Sequence, residues 1–148
     1  MITIVRNSTW GTGMAAAGLI AIVAGCASMS GMMGGQNVSL TGTAQVPAVT
    51  TSASGNAVVT IKADRSVSAT VTVTGMTATA SHIHEAAAGA NGPVIVPFTK
   101  TGDNTFASMP DAKLTEAQYA AYKAGNLYVN VHSAKNPGGE VRGQLKGN

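Results

Sequence analysis

Short stretches of alternating apolar and polar residues recur from position 37 to the end of the chain. In residues 67–74, valine or alanine occupies every second position, with serine or threonine between. Successive side chains of a β-strand point to opposite faces, so this pattern predicts a strand with one buried and one solvated face. Turn-forming residues separate such stretches, as at 63–66 and 136–139. The chain is thereby constrained to a mostly antiparallel β structure.

A single short helix is expected among the strands. Thr115 and Gln118 have the spacing of a capping box, and Gly125 stands where a glycine commonly ends a helix. Pro97 lies within an apolar stretch at 94–98, and its missing N–H predicts an edge strand. Many short strands with one helix predict an all-β fold, an antiparallel Greek-key β-sandwich of immunoglobulin-like architecture.

The N-terminal region has the pattern of a lipoprotein signal peptide. Arg6 precedes an uncharged run of small and apolar residues at 14–25, which is too short to span a bilayer comfortably. Residues 23–26 form a lipobox that ends in Cys26, the only cysteine of the chain. The sequence therefore predicts a signal peptide at 1–25 and lipidation of Cys26. The mature protein would be exported and anchored to a membrane through this lipid, facing the periplasm, at the outer membrane in a Gram-negative host.

Composition divides the remainder into a tether and one domain. Residues 26–36 combine methionine with glycine and serine and predict a flexible tether, although its thioethers could also capture Cu(I). Residues 37–148 are long enough for one core, which has no cysteine pair to cross-link it. The net charge is +3, and no cluster of lysine and arginine occurs, so nucleic acid is not an expected partner.

The three histidines of the chain fall in two strand-like stretches. His82 and His84 are two residues apart and share a strand face, whereas Ile83 between them points to the core. His132 likewise stands opposite an apolar face. Three imidazoles at bonding distance would form a metal site. The affinity order of the divalent metals favours one copper ion, with zinc less favoured. A surface that merely carries histidines is the structural alternative.

Other residues could act together with the three histidines. A zinc site with an open position would suit a hydrolase or hydratase, but Glu85 points away from the histidines and is poorly placed as a base. Glu140 or Tyr128 could hydrogen-bond a ligating imidazole. Alternatively, Glu140 pairs with Arg142, and Tyr128 is a surface residue. No phosphate-binding loop or nucleophile elbow occurs in the sequence.

Several motifs resemble those of the CHRD (chordin) domain family over residues 37–145. They occupy residues 40–42 with 46–47, 81–84 with 91–94, 124–132, and 136–143. The chordin name suggests an interaction domain in which the histidines are incidental.

The histidine pattern also resembles the copper site of the copper–zinc superoxide dismutase family, which likewise has a β-sandwich. That resemblance implies His82, His84 and His132 as copper ligands and Arg142 as a catalytic residue that attracts superoxide. A fourth histidine, the zinc ligands and the subdomain disulfide are missing, so only a copper-only dismutase would be compatible. The leading hypothesis is such a dismutase with superoxide as substrate. A copper-binding or storage module without turnover and a metal-free interaction domain are the alternatives.

Overall fold

The computed structural model describes residues 35–147, so the predicted signal peptide, the lipidation site Cys26 and nearly all of the tether lie outside the described residues. The described part contains eight strands, one α-helix and a 3₁₀ turn. The strands are β1 (Gln36–Thr41), β2 (Ser54–Ile61), β3 (Val67–Thr74), β4 (Ala78–Glu85), β5 (Val94–Gly102), β6 (Thr105–Ser108), β7 (Leu127–Ser133) and β8 (Val141–Gln144), with the 3₁₀ turn at Gly42–Ala44 and helix α1 at Glu116–Lys123. None of the helices described is both long and apolar enough to cross a bilayer.

The strands form one closed barrel. Their hydrogen-bonded order is β1-β2-β3-β6-β5-β4-β7-β8, and β8 pairs with β1 through Arg142 and Thr41. All pairings are antiparallel. The all-β antiparallel prediction is therefore confirmed, whereas the predicted sandwich is not. Alternation along a strand shows which face is buried. It does not show whether the first and last strands of the sheet pair with each other, and this pairing distinguishes a closed barrel from a sandwich.

Strands β4 to β7 have a Greek-key arrangement. Consecutive strands β4, β5 and β6 pair in hairpin fashion, and β7 returns after α1 to lie beside β4. Pro97 lies on β5, which pairs with both β4 and β6. The predicted edge position of this strand is therefore wrong, because closure of the barrel leaves it no free edge.

Small and β-branched residues fill the barrel interior. The alternation predicted for residues 67–74 is confirmed, since Val67, Ala69, Val71 and Val73 are buried and the residues between them are exposed. The same interior layer contains buried residues from the other strands, among them Leu40, Ala57, Ile83, Phe106, Val129 and Val141. The opposite face of β4, β7 and β8 points outward, and loops cover part of it.

Helix α1 begins and ends as the sequence predicts. The Thr115 side chain accepts a hydrogen bond from the backbone of Gln118, and the Gln118 side chain accepts one from the Thr115 N–H, which completes the capping box. Gly125 has a φ of 76°, in the left-handed region. Glycine adopts this conformation without the penalty that a Cβ brings, so the chain turns here directly into β7.

Candidate metal centre

Two neighbouring strands place the three histidines on the outer face of the barrel. His82 and His84 lie on β4, and His132 lies on β7, which pairs with β4. The register sets Ala80 opposite His132, and it sets His82 opposite Asn130. Because Ile83 is fully buried in the core, the residues on both sides of it must point outward. The outward orientation predicted for the histidine pair is confirmed.

The pairing brings the three imidazoles together. One ring nitrogen from each of His82, His84 and His132 lies within 4.8 Å of the others. Nδ1 of His82 is 3.1 Å from Nε2 of His132, and the ring centroids are between 4.9 and 6.1 Å apart. The three-histidine cluster predicted from the sequence therefore exists, and strand pairing explains how residues about 50 positions apart come into contact.

Backbone carbonyls hold two of the rings by their Nδ1 atoms. Nδ1 of His84 donates to the carbonyl oxygen of Gly92 at 2.9 Å, and Nδ1 of His132 donates to that of Pro137 at 2.8 Å. A carbonyl oxygen can only accept, so each of these nitrogens bears the proton. In a neutral imidazole the other nitrogen then carries a lone pair. Nε2 of His84 is thus available as a ligand, whereas Nε2 of His132 accepts the hydrogen bond that Nδ1 of His82 donates at 3.1 Å, a bond that a metal ion would replace.

Gly92 can support His84 because it has no side chain. A Cβ at this position would lie 1.8 Å from the carbonyl oxygen of Glu85. The absence of a Cβ lets the loop formed by residues 86–93 lie directly against the end of β4, where its carbonyl meets the His84 ring. Sequence analysis did not identify Gly92 or Pro137 as partners of the histidines, because a backbone carbonyl occurs at every residue and leaves no signal in the sequence.

The three side chains fit a bound metal ion. Nε2 of His84 is buried and makes no hydrogen bond to a described residue, so a lone pair lies in the interior of the cluster without a partner. Three nitrogens bound to one ion at about 2.0–2.1 Å are about 3.3–3.6 Å apart, and small ring movements would bring this cluster to that spacing. Copper and zinc both bind imidazole well. The donor set therefore suits either of these ions.

The environment keeps His82 and His84 in their neutral, ligating form. Burial, followed by the nearby His132 and His84 rings, lowers the pKa of His82 to about 4 from the usual 6.5. Burial is also the largest cause that lowers the pKa of His84, and the hydrogen bond to Gly92 opposes it. At neutral pH neither ring carries the second proton that an incoming cation would have to displace.

The lowered pKa of His82 predicts how the stability of the metal-free protein depends on pH. In the unfolded chain His82 takes up a proton near pH 6.5, whereas in the folded protein it does so only near pH 4. Between these values the unfolded state binds more protons. We therefore expect the free energy of unfolding to be highest above pH 6.5 and to fall as the pH drops toward 4, as measured by urea denaturation in chelator-treated buffer.

A matched variant identifies the group responsible for this pH dependence. His82→Gln should reduce the slope of the profile between pH 6.5 and 4, because this titrating ring is gone. A smaller slope remains from His84, whose pKa is also lowered by burial. Glu140 contributes in a lower range, since hydrogen bonds from Ser133 and Thr51 lower its pKa below the usual 4.5. Its contribution is present above that value and is lost only as the pH falls through the lowered pKa. A wild-type profile that is flat from pH 7 to 4 would contradict the prediction.

Tyr128 and Arg142 stack beside the cluster. The ring of Tyr128 is nearly parallel to that of His84, at 9° and 4.9 Å between centroids. The guanidinium carbon of Arg142 lies 3.4 Å from the centroid of the same tyrosine ring. Because β4 and β8 flank β7, His84 and Arg142 pack on Tyr128 from opposite sides. Tyr128 is 2% exposed, so its alternative interpretation as a surface residue is wrong.

Arg142 is enclosed by the loop that covers the site. Its exposed fraction is 2%. Its two terminal nitrogens donate to acceptors on β8 and on the 86–93 loop, namely the carbonyl oxygens of Ala87 and Ala90 and the side-chain oxygens of Asn91 and Gln144. Its placement makes it a support for the loop that carries Gly92. The role in attracting superoxide that the resemblance implied stays a prediction.

The carboxylates considered from the sequence lie away from the three rings. Glu140 accepts hydrogen bonds from the hydroxyl groups of Thr51 and Ser133. The alternative pairing of Glu140 with Arg142 is not formed, since Arg142 bonds to the acceptors named above. Neither Glu140 nor Glu85 belongs to the cluster, which consists of histidine alone. The cluster therefore lacks a carboxylate that would act as a general base beside a bound ion.

These features define a class of protein, a closed antiparallel barrel with three histidines gathered under loops on its outer face. Residues 36–145 match the CHRD domain family. The chain therefore belongs to the CHRD domain family, and the resemblance found in the sequence is confirmed. Comparisons with curated proteins and with solved structures found no significant match, so the resemblance to copper–zinc superoxide dismutase has no support from them.

Proposed function

We propose that this CHRD domain binds one copper ion through His82, His84 and His132. The observation that carries the proposal is the buried and unpartnered Nε2 of His84, placed with two other imidazole nitrogens within 4.8 Å. Burying a polar atom without a partner is costly, and native proteins rarely do so without a functional reason. A bound cation would give this lone pair its partner.

The chemistry of the donors favours copper over zinc. The cluster offers three neutral nitrogen ligands, and the affinity order of divalent metals places copper above zinc for such a set. Imidazole binds both oxidation states of copper, so a bound ion would supply one-electron redox chemistry. The protein's own part is to hold the three rings through strand pairing and through the carbonyl oxygens of Gly92 and Pro137. The lipoprotein prediction at Cys26 would place this site outside the cytoplasm.

Metal titration of the purified mature protein tests the proposal. We expect one Cu(I) per chain in competition with a chromophoric chelator under reducing conditions, and tighter binding of Cu(II) than of Zn(II) in separate titrations. Stoichiometric binding that disappears in a His84→Ala variant supports a site formed by the cluster. If metal-stripped protein binds neither ion above the background of that variant, the domain does not use its histidines for metal and the interaction-domain alternative gains support.

Superoxide dismutation would require turnover at the bound copper in addition to binding. Arg142, to which the resemblance assigned substrate capture, is 2% exposed, and its part in turnover stays a prediction. The copper-loaded protein can be tested directly by following superoxide decay. An acceleration that requires both copper and His132 would extend the function from binding to turnover, and an unchanged decay would leave copper binding or storage as the activity.

A further inference from the structure

A positive charge is buried beside the histidine cluster, and its hydrogen-bond partners do not neutralise it. Arg142 is 2% exposed, and a guanidinium group is always charged in a protein. The four hydrogen bonds of its terminal nitrogens all go to neutral oxygens, of backbone carbonyls and of carboxamide side chains. A buried charge is normally paired with an opposite charge, so the cation must act on its surroundings.

Tyr128 sets the distance between this charge and the cluster. The centroid of its ring is 3.4 Å from the guanidinium carbon of Arg142 and 4.9 Å from the centroid of the His84 ring. The positive charge therefore lies within about 8.3 Å of the centre of a ligand ring. Because Tyr128 is itself buried, water and salt screen the charge much less than they would at the surface.

A charge at this distance changes the preference of the site for one oxidation state of copper. Cu(II) carries one more positive charge than Cu(I), and the guanidinium repels that additional charge. For unit charges roughly 8–12 Å apart in a protein, the repulsion corresponds to a factor of about ten or more in an equilibrium constant. The cluster does not offset it, because its members are all histidines, which bind metals as neutral imidazoles.

The number of ligands acts in the same direction. Within residues 35–147 the cluster offers one nitrogen from each of three histidines and no carboxylate. Cu(II) is typically bound in square-planar or tetragonal sites of nitrogen and oxygen ligands, so it would lack a fourth ligand from this cluster. Cu(I) is stable with three ligands and needs no further one.

We propose that the buried charge of Arg142 makes the site selective for Cu(I) by raising the reduction potential of the bound ion. This inference rests on the proposed copper site and names the oxidation state that the site prefers. The couple is Cu(II) plus one electron giving Cu(I), and in a redox titration a mediator of known potential supplies the electron. Tyr128 is the positioning residue that holds the charge beside His84.

Two substitutions of Arg142 separate its charge from its support of the loop. Arg142→Met removes the charge, and we expect the ratio of Cu(I) to Cu(II) affinities to fall roughly tenfold, which is about 59 mV in the potential. Arg142→Lys keeps a positive charge but lacks the forked donors, so it should retain the wild-type ratio. Loss of support alone weakens both affinities and leaves their ratio unchanged. Competition with chromophoric chelators measures each affinity, and a redox titration of the loaded protein measures the potential directly.

Asn91→Asp tests the charge while Arg142 stays in place. The side-chain oxygen of Asn91 accepts a hydrogen bond from Arg142 at 3.3 Å, so an aspartate places a carboxylate against the guanidinium. We expect the ratio to fall roughly threefold, less than in Arg142→Met, because Asn91 is exposed and water screens part of the added charge. Asn91→Ala is the matched control, since it also loses the hydrogen bond to the carbonyl oxygen of Val46 but adds no charge.

The outcomes distinguish this inference from the proposed function. A folded Arg142→Met protein that binds copper with the wild-type ratio would overturn the role assigned to the charge. If Arg142→Met does not fold, equal ratios in Asn91→Asp and Asn91→Ala lead to the same conclusion. Wild-type protein that binds neither Cu(I) nor Cu(II) refutes the proposed function and this inference together, whereas copper binding with unchanged ratios refutes this inference alone.

Discussion

Replacement of His132 by alanine is expected to weaken Cu(I) binding by more than about a hundredfold. Loss of a residue that only supports a ligand usually costs 10–100-fold in metal affinity, and the loss of a ligand should exceed this. His132 is the member of the cluster supplied by β7, and its Nε2 lies 3.1 Å from Nδ1 of His82. The measurement is a competition titration against a chromophoric Cu(I) chelator.

The stability of the loaded protein gives a second measure of the same prediction. A ligand at 100 times its dissociation constant raises the free energy of unfolding by about 2.7 kcal/mol, so copper should raise the melting temperature of the wild type and not that of His132→Ala. Thr79→Ala is a suitable control, since Thr79 is exposed on β4 and outside the cluster. Equal copper affinities for wild type and His132→Ala would refute the three-histidine site.

Replacement of Arg142 by methionine is expected to lower the free energy of unfolding by about 3 kcal/mol. Methionine keeps much of the length of the side chain but offers no donor to the carbonyl oxygens of Ala87 and Ala90. Buried acceptors that lose their donors cost about 1–3 kcal/mol each, and the contact of the cation with Tyr128 is lost as well. Chemical denaturation of the metal-free protein at neutral pH measures the effect.

The same substitution distinguishes a supporting arginine from one that attracts an anion. A supporting role predicts a large loss of stability and weaker copper binding, since the loop that Arg142 holds also supplies the carbonyl of Gly92 to His84. An anion-attracting role predicts nearly unchanged stability. Lys113→Met, at an exposed position, controls for the loss of one positive charge. If Arg142→Met is as stable as Lys113→Met, the supporting role is wrong.

Features with a local cause were predictable from the sequence. The alternation in residues 67–74 and the capping box of Thr115 and Gln118 appear in the structure as predicted, because both depend on neighbours within a few residues. Pro97 shows the limit of such reasoning. Its missing N–H suggested an edge strand, but whether a strand lies at an edge depends on pairing partners elsewhere in the chain.

The histidine cluster was predictable for a related reason. A His-x-His pair shares a strand face regardless of the fold, and Ile83 between the two residues indicated which face is buried. The approach of His132 required the pairing of β4 with β7, which the sequence could only suggest. The supports of the cluster were missed, because Gly92 and Pro137 act through backbone carbonyls.

The sequence alone therefore determined which residues alternate between core and surface, where the helix begins and which histidines are paired. Membership in the CHRD family, now confirmed over residues 36–145, was also visible in its motifs. Only the tertiary structure decided that the sheet closes into a barrel, that Arg142 is buried and that a loop holds each of two imidazoles by its Nδ1. The physical reason is the range of the interactions: strand alternation and helix caps depend on residues a few positions apart, whereas closure, burial and ring orientation arise from contacts between distant segments.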